Sequence, residues 1–307
     1  MAEAYTKQHI VPKSYIDRFG IKGDSRTIIG TRLNTNGKPK FFTSPTNDVG
    51  YIKNFYDVTD KDDPKYWEHY FAREIDTLCG REMENIIAKA TLSQVSTTVL
   101  TAHDKEVLSK VIVAQLMRIP DSVKYMNDTI YPRVSKQIKE DMASSLPQFL
   151  LEKYGEQIKN TELTEQYQKE IFLNHSFTPE NFERYCRIVQ EGVWILYLNR
   201  QCETMPFLTS DNPVLVEGIG TESIGVFHNG LANPSTCIFF PLNPRISVAI
   251  YSRRGIFGFV SDEYDRKMIM LDEIKYIADK NMKILAQSYR HTFIPQPLYD
   301  EIIKDNT

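Results

Sequence analysis

A histidine near the N-terminus is the first residue whose type and setting could support chemistry. His9 lies beside Ile10, Val11 and Pro12, immediately before a segment with helical spacing. An imidazole titrates near neutral pH, so His9 could act as a general acid or base, or could bind a metal. A histidine that hydrogen-bonds a loop carbonyl is the structural alternative. His9 on its own leaves both interpretations open.

A polar pair interrupts an otherwise apolar stretch at residues 111–120. Gln115 and Arg118 are three residues apart, so they meet on one helical face. A buried guanidinium requires an anionic partner. That partner is either a structural carboxylate or a ligand's carboxylate or phosphate, which arginine binds as a planar fork.

Glu74 is the carboxylate that helical spacing places inward. It shares a face with Tyr70, Phe71 and Leu78. We therefore expect Glu74 to be the structural mate of Arg118, or else a catalytic base or a metal ligand.

The run Thr-Ser-Asp-Asn-Pro at residues 209–213 lies between two predicted strands. Side chains of these types bond nearby backbone groups, so a structural turn accounts for them. Polar groups clustered at a strand end also commonly form a site. In such a site Asp211 would bind a metal or orient His9. Ser210 lacks the Gly-x-Ser-x-Gly setting of a nucleophilic serine.

Composition excludes several classes of protein. The chain has 307 residues, a net charge of −3 and four cysteines far apart in sequence, so neither a zinc motif nor a redox pair is present. The acidic balance argues against non-specific binding to nucleic acid or membrane. No signal peptide and no apolar run of ~18 residues are found. We expect a cytoplasmic protein with reduced thiols and no membrane partner.

Strands near both ends of the chain are predicted to hold these residues in place. Residues 27–33 and 40–43 are rich in β-branched and aromatic types, and Asn34-Thr35-Asn36-Gly37 between them is a hairpin signal. Residues 205–293 are predicted to be mainly β structure. One helix is predicted within them, at 262–278, and a last strand follows it within 284–293.

The middle of the chain, about residues 65–200, is predicted to be helical, with its last helix running from Thr178 to about Asn199. We therefore predict a single α+β domain over residues 1–307. A mixed or antiparallel sheet is built from N- and C-terminal segments, with a large helical block inserted between them. A two-domain split near residue 200 is the alternative.

In order and spacing, the chain resembles a bacterial family, domain of unknown function 4238, over roughly residues 8 to 290. The segments that carry the likeness are His9-Ile10-Val11-Pro12 with Tyr15-Ile16 and Phe19, Asn54-Phe55-Tyr56, the acidic helix from Glu68 to Asp76, Gln115 with Arg118, residues 207–213, and residues 240–244.

The resemblance implies a shared site and no particular activity. The residues implied are His9, Gln115, Arg118, Ser210, Asp211 and Asn212. The family's acidic helix tends to carry a glutamate where this chain has Glu74-Ile75-Asp76, so Glu74 and Asp76 are alternative equivalents.

The parts suggest a metal-assisted phosphodiester or phosphate hydrolase, of which a nuclease-like toxin or defence effector is one form. His9 would be the general acid or base, while Asp211 and Glu74 would take part in catalysis and bind Mg²⁺ or Mn²⁺. The substrate, a nucleic acid or an anionic small molecule, would be held by Gln115, Arg118, Ser210 and Asn212.

Two other functions account for the same residues. In one, the polar groups bind a small anionic ligand or a nucleotide without chemistry. In the other, they form a buried structural network in which Arg118 pairs with Glu74.

Overall fold

Three β-sheets and a helical block make up an α+β fold. The structure is a computed structural model that describes residues 7–31, 40–160, 164–256 and 258–304. No helix in these ranges is long and apolar enough to cross a membrane.

One sheet joins the two ends of the chain, as predicted. Its order is β3-β2-β11-β6, with the bounds Lys40–Pro45 for β3, Arg26–Thr31 for β2, His291–Ile294 for β11 and Thr209–Ser210 for β6. All three pairings are antiparallel. The predicted hairpin turn at residues 34–37 lies outside the described residues, but the strands it was predicted to join do pair.

A second, five-stranded sheet forms from the C-terminal part of the chain, in the order β10-β5-β9-β8-β7. Its strands are Lys267–Leu271 for β10, Val193–Asn199 for β5, Ile246–Tyr251 for β9, Thr236–Pro241 for β8 and Leu215–Gly218 for β7. Only the β10–β5 pair is parallel. A two-stranded antiparallel sheet pairs β1 (Lys7–His9) with β4 (Tyr51–Lys53).

The helix predicted to run to Asn199 ends at Gln190, and the prediction for its last part was wrong. Residues 193–199 form β5 instead, because a continuous apolar run suits a strand buried on both faces. Gly192 permits the change of direction: a Cβ there would lie 2.5 Å from Cγ2 of Ile250.

The helix predicted at residues 262–278 is also wrong in extent. A short helix, Ser261–Tyr264, is followed by β10 and then by a helix at Ile274–Gln287. Arg266 has a φ of +66°, which a right-handed helix cannot contain. Pairing of β10 with β5 then decides the conformation of a segment whose residue types permit either structure.

The helical block spans residues 66–190. Its α-helices are α2 (Tyr66–Phe71), α3 (Met83–Leu92), α4 (Ala102–Met117), α5 (Pro120–Tyr125), α6 (Tyr131–Ser145), α7 (Gln148–Asn160), α8 (Glu165–Ser176) and α9 (Pro179–Gln190). Three π-helical turns interrupt it, at Ala72–Asp76, Leu78–Glu82 and Met126–Ile130. The remaining helices are α1 (Lys13–Ile16), α10 (Val226–Asn229), α11 (Ser261–Tyr264), α12 (Ile274–Gln287) and α13 (Gln296–Lys304).

Helix α4 carries polar residues into the protein interior. Thr101 caps its start by accepting from the Asp104 backbone N–H at 3.1 Å, and the Asp104 carboxylate accepts the Thr101 backbone N–H in turn. Its C-terminal half is buried on every side, so Gln115 and, one residue past the helix end, Arg118 lie in the core. The chain thereby delivers two polar side chains to the segment that holds His9.

Candidate functional site

His9 stands on a two-stranded sheet whose two faces differ. It lies opposite Tyr51 in the β1–β4 pairing, and the two rings meet edge to face with centroids 6.1 Å apart. Because side chains alternate along a strand, Lys7 shares this face with His9, while Gln8 points to the other face and is fully buried.

Gln8 anchors the strand that carries His9. Its amide nitrogen donates to the Asp57 carboxylate at 2.5 Å, and its amide oxygen accepts from the Tyr56 backbone N–H, also at 2.5 Å. Tyr56 in turn donates its hydroxyl to the Arg118 carbonyl at 3.2 Å. The backbone of His9 is therefore fixed against the end of α4.

Arg118 has no exposed surface, and every contact of its guanidinium is made within the protein. One nitrogen donates to the Asp76 carboxylate at 2.9 Å, and two others donate to the Gln115 side-chain oxygen at 3.3 and 3.2 Å. The guanidinium also lies 5.2 Å from the centroid of the Phe71 ring. Gln115 donates to the Ile10 carbonyl at 2.7 Å, which ties α4 to the His9 segment.

The carboxylate that pairs with Arg118 is Asp76, and the expected pairing with Glu74 does not occur. Glu74 is exposed and accepts from Arg73 at 2.7 Å. The π-helical turn at Ala72–Asp76 rotates the chain less per residue than an α-helix does, so the face predicted for Glu74 is not formed. The buried residues in this stretch recur every four positions, at Phe71, Ile75, Cys79 and Met83.

Glu68 is a site residue that the sequence interpretation did not single out. It lies half-buried on α2, eight residues before Asp76, and its carboxylate makes no hydrogen bond or ion pair within the described residues. Burial, and then the charge of Asp76, raises the pKa of Glu68 to about 7. The signal was the spacing of two acids by two helical turns, within the acidic segment that carries the family likeness.

The pKa of His9 is shifted in the opposite direction from that of Glu68. Burial lowers the pKa of its imidazole, with Arg118, Lys7 and Lys13 acting the same way and Asp76 acting against them. Its Nε2 is buried and has no hydrogen-bond partner among the described residues. A buried polar atom without a partner is uncommon in a native structure and calls for an explanation, of which a catalytic role is one.

We call His9, Glu68, Asp76 and Arg118 the acid–base cluster. Asp76 and Arg118 act electrostatically on both His9 and Glu68, so each of these two titratable groups lies near the ion pair. The usual order of pKa values is inverted here, because the carboxyl group of Glu68 titrates above the imidazole of His9. Environments that push two pKa values apart are how proteins assign acid and base roles.

Asp211 belongs to a different arrangement, although sequence order suggested one shared site. It is 2% exposed, and its carboxylate accepts the backbone N–H groups of Tyr289, Arg290 and His291 at 2.7, 2.7 and 2.8 Å. Burial raises the pKa of Asp211 to about 6, against the effect of these three donors.

Ser210 and Asn212 are bonded mainly to the backbone around Asp211. The Ser210 hydroxyl donates to the Asn212 carbonyl at 2.8 Å and accepts from the Asn212 N–H at 3.1 Å. The Asn212 amide donates to the Gln287 carbonyl at 3.1 Å and lies 3.5 Å from an Asp121 carboxylate oxygen. We call Ser210, Asp211 and Asn212 the turn clasp, since they bind the 209–213 turn to the chain around residues 287–291.

The structure brings His9, Gln115 and Arg118 together and leaves the turn clasp and Glu74 outside that group. Within the described residues, no group of three or more His, Cys, Asp or Glu side chains is arranged to hold a metal ion. The oxygens of Asp211 are occupied by backbone donors and Glu74 faces solvent. These two residues therefore do not fit the shared Mg²⁺ or Mn²⁺ site expected of them.

Comparison with known proteins places the chain in a family. No curated protein and no solved structure gives a match. The family described as "Protein of unknown function (DUF4238)" matches residues 7–290, a span that holds both the acid–base cluster and the turn clasp. The chain therefore belongs to the DUF4238 family.

Proposed function

We propose that this protein is a hydrolase of phosphodiester or phosphate groups in which His9 is the general base and Glu68 the general acid. The observation that carries the proposal is a buried His9 Nε2 without a partner among the described residues, near an enclosed Asp76–Arg118 ion pair that also acts on the half-buried Glu68 carboxyl group. The pKa of Glu68 is raised to about 7 and that of His9 is lowered from its ordinary value, mainly by burial in both cases. Paired, perturbed titratable groups of this kind are typical of functional sites.

The inverted order assigns the two roles. Between the two pKa values His9 is neutral and Glu68 is protonated. His9 Nε2, buried and unpartnered, would take a proton from the attacking water as its oxygen bonds to phosphorus. Glu68 would give its proton to the departing oxygen as the phosphorus–oxygen bond breaks. One water is consumed, and a proton passes back from His9 to Glu68 to complete the cycle.

Asp76 and Arg118 support this pair without touching substrate. Arg118 is fully enclosed, so it orients the Asp76 carboxylate through the 2.9 Å bond and has no face left for a phosphate. Gln115 is buried, and its side chain is hydrogen-bonded to Arg118 through its oxygen and to the Ile10 carbonyl through its nitrogen. The geometry thus favours Asp76 and Arg118 as positioning residues, and the phosphate must be held by other cations near His9, where the charges of Lys7 and Lys13 already act.

The test is hydrolysis of RNA, DNA and bis-p-nitrophenyl phosphate, each with Mg²⁺, with Mn²⁺ and with a chelator. Glu68→Gln and His9→Ala are expected to lose about 100-fold or more in rate, the typical contribution of a general acid or base. Two matched controls are available: Glu74→Gln changes an exposed acid of the same helical segment, and His103→Ala changes an exposed histidine of α4.

The controls are expected to keep the wild-type rate. A Glu68→Gln variant as active as the wild type overturns the acid–base assignment, and so does a wild type that hydrolyses none of these substrates. A protein that binds a phosphate compound and returns it unchanged belongs instead to the class of non-catalytic binding modules.

A further inference from the structure

We propose that Lys53, Arg290 and His291 form a phosphate-binding subsite in the cleft between residues 48–53 and the start of β11. This subsite rests on the proposed function, for which it supplies the missing phosphate contact. The cleft has a volume of about 360 Å³, within the range of small-ligand sites. Tyr51 lines it together with these three side chains.

The cleft adjoins His9 through shared structure. Tyr51 lines the cleft and is the strand partner and ring neighbour of His9. Gly50, also in the lining, accepts the backbone N–H groups of Ile10 and Val11 at 2.8 and 3.2 Å. It has a φ of +65°, and a Cβ there would lie 2.6 Å from the Ile16 side chain, so only glycine fits. A ligand in the cleft therefore lies against the segment that carries the proposed base.

The charges of the cleft suit an anion. Lys53 and Arg290 are cationic, and among the described residues that line the cleft the only acid is Asp48, whose carboxylate is bonded to Lys7. His291 adds a ring N–H, and burial, then the charge of Arg290, lowers its pKa, so that it serves as a neutral donor at neutral pH. Arginine binds phosphate oxygens through its planar fork and lysine through a point charge.

The turn clasp gives this subsite a fixed frame. Asp211 holds the backbone N–H groups of Arg290 and His291, and its own N–H donates to the His291 carbonyl at 3.0 Å. A binding group is effective when buried hydrogen bonds hold its backbone in place. Asp211 is thus a positioning residue that acts through Arg290 and His291, and this gives the polar run at 209–213 a role in the site without contact with substrate.

The experiment is calorimetric titration of inorganic pyrophosphate, a non-ester probe, into the full chain. Arg290→Gln removes an exposed side chain and is expected to weaken affinity about tenfold or more, as loss of a charge-assisted hydrogen bond does. Arg254→Gln, a matched change at an exposed arginine outside the cleft, is expected to bind as the wild type does. Unchanged affinity in Arg290→Gln, or no binding by the wild type, overturns the subsite.

A double-mutant cycle tests the positioning role of Asp211. Asp211→Asn is expected to weaken pyrophosphate binding in the wild type and to cause much less further loss in the Arg290→Gln background. Equal losses in both backgrounds overturn a role exerted through Arg290. If the wild type binds pyrophosphate through Arg290 but hydrolyses no phosphate ester, the subsite stands and the proposed function falls. If the wild type hydrolyses phosphate esters but Arg290→Gln binds pyrophosphate with unchanged affinity, the proposed function stands and the subsite falls.

Discussion

The acid–base cluster and the turn clasp both bury polar groups, and they differ in how those groups are bonded. In the clasp, the Asp211 carboxylate accepts three backbone N–H groups within 2.8 Å. In the cluster, the Glu68 carboxylate has no hydrogen bond within the described residues, and the Nε2 of His9 is buried without a partner among them. One region has its hydrogen-bonding capacity filled, and the other keeps two titratable groups unpartnered.

This difference separates structural from chemical use of polar residues. A filled network contributes stability, because each buried donor has its acceptor. Unpartnered titratable groups reduce stability, and a protein retains such groups where a site needs them. Arg118 lies in the acid–base cluster but is a structural residue, since its guanidinium is hydrogen-bonded to Asp76 and Gln115. Substitutions should therefore reduce stability in the clasp and reduce rate at His9 and Glu68.

The largest effect on stability is expected from Asp211→Ala. The substitution leaves three backbone N–H groups without an acceptor at a site that is 2% exposed. We expect the free energy of unfolding to fall by about 3–5 kcal/mol, several times the loss of a single hydrogen bond. Urea denaturation followed by circular dichroism measures it.

The matched control for that change is Asp272→Ala. Asp272 is exposed, and its carboxylate lies 3.5 Å from Arg200, which is also exposed. An exposed ion pair of this kind contributes about 0–1 kcal/mol. If Asp211→Ala is no more destabilising than Asp272→Ala, the clasp does not stabilise the fold and the comparison between the two regions fails.

A second prediction concerns the pH dependence of hydrolysis. The value of kcat/KM is expected to rise on the acid side as His9 loses its proton, with a pKa below 6.5, and to fall on the basic side with a pKa of about 7 as Glu68 ionises. Above pH 7 the decline approaches roughly tenfold for each pH unit. A profile measured from pH 5 to 9 tests whether a protonated Glu68 is required.

The direction of the basic limb is the informative part of that profile. Activity that keeps rising from pH 7 to 9 would mean that no protonated group with a pKa near 7 is required, and Glu68 would then not be the general acid. Glu74→Gln, which changes an exposed acid paired with Arg73, is expected to leave both limbs in place.

Local sequence patterns predicted the helices and strands better than they predicted which side chains pair with each other. The helix start at Thr178 and the sheet built from both chain ends could be predicted because they depend on residue types and on strand pairing signals. The strand β5 was missed because a fully buried strand and a buried helix share the same apolar run. Periodicity alone cannot distinguish them.

The site was predicted in part for a related reason. Polar residues in apolar surroundings singled out His9, Gln115 and Arg118, and the structure brings these three together. Glu74 was preferred to Asp76 because an α-helical period was assumed, whereas π-helical turns change which residues share a face. A π-helical turn depends on tertiary packing, so a helical wheel does not reveal it.

The smallest expected effect is a pH-dependent gain in stability from Glu68→Gln. The pKa of Glu68 in the folded protein is about 7, above the value of about 4.3 for an unperturbed glutamate. Between these values the folded state binds more protons than the unfolded state, so the wild type loses stability as pH rises through this window. The neutral glutamine avoids that loss. The Tm of Glu68→Gln minus that of the wild type is expected to increase from pH 5 to 7 and to level off above pH 7.

Asp104→Asn is the control of opposite sign. Burial of Asp104 opposes its ionisation, but the ion pair with Lys89 and the bonds from Thr101 outweigh it and hold its pKa below the ordinary value. A lowered pKa adds stability above the unfolded value and loses it as pH falls, so Asp104→Asn should be the less stable protein at pH 7 and approach the wild type in acid. Thermal melts of both variants across pH 2 to 8 should therefore change in different windows: Asp104→Asn approaches the wild type only below pH ~4, where a free aspartate titrates, and the gain of Glu68→Gln develops from pH 5 to about 7. If Glu68→Gln follows Asp104→Asn downward as pH rises, the carboxylate of Glu68 stabilises the fold, and the cluster is a second filled network like the clasp.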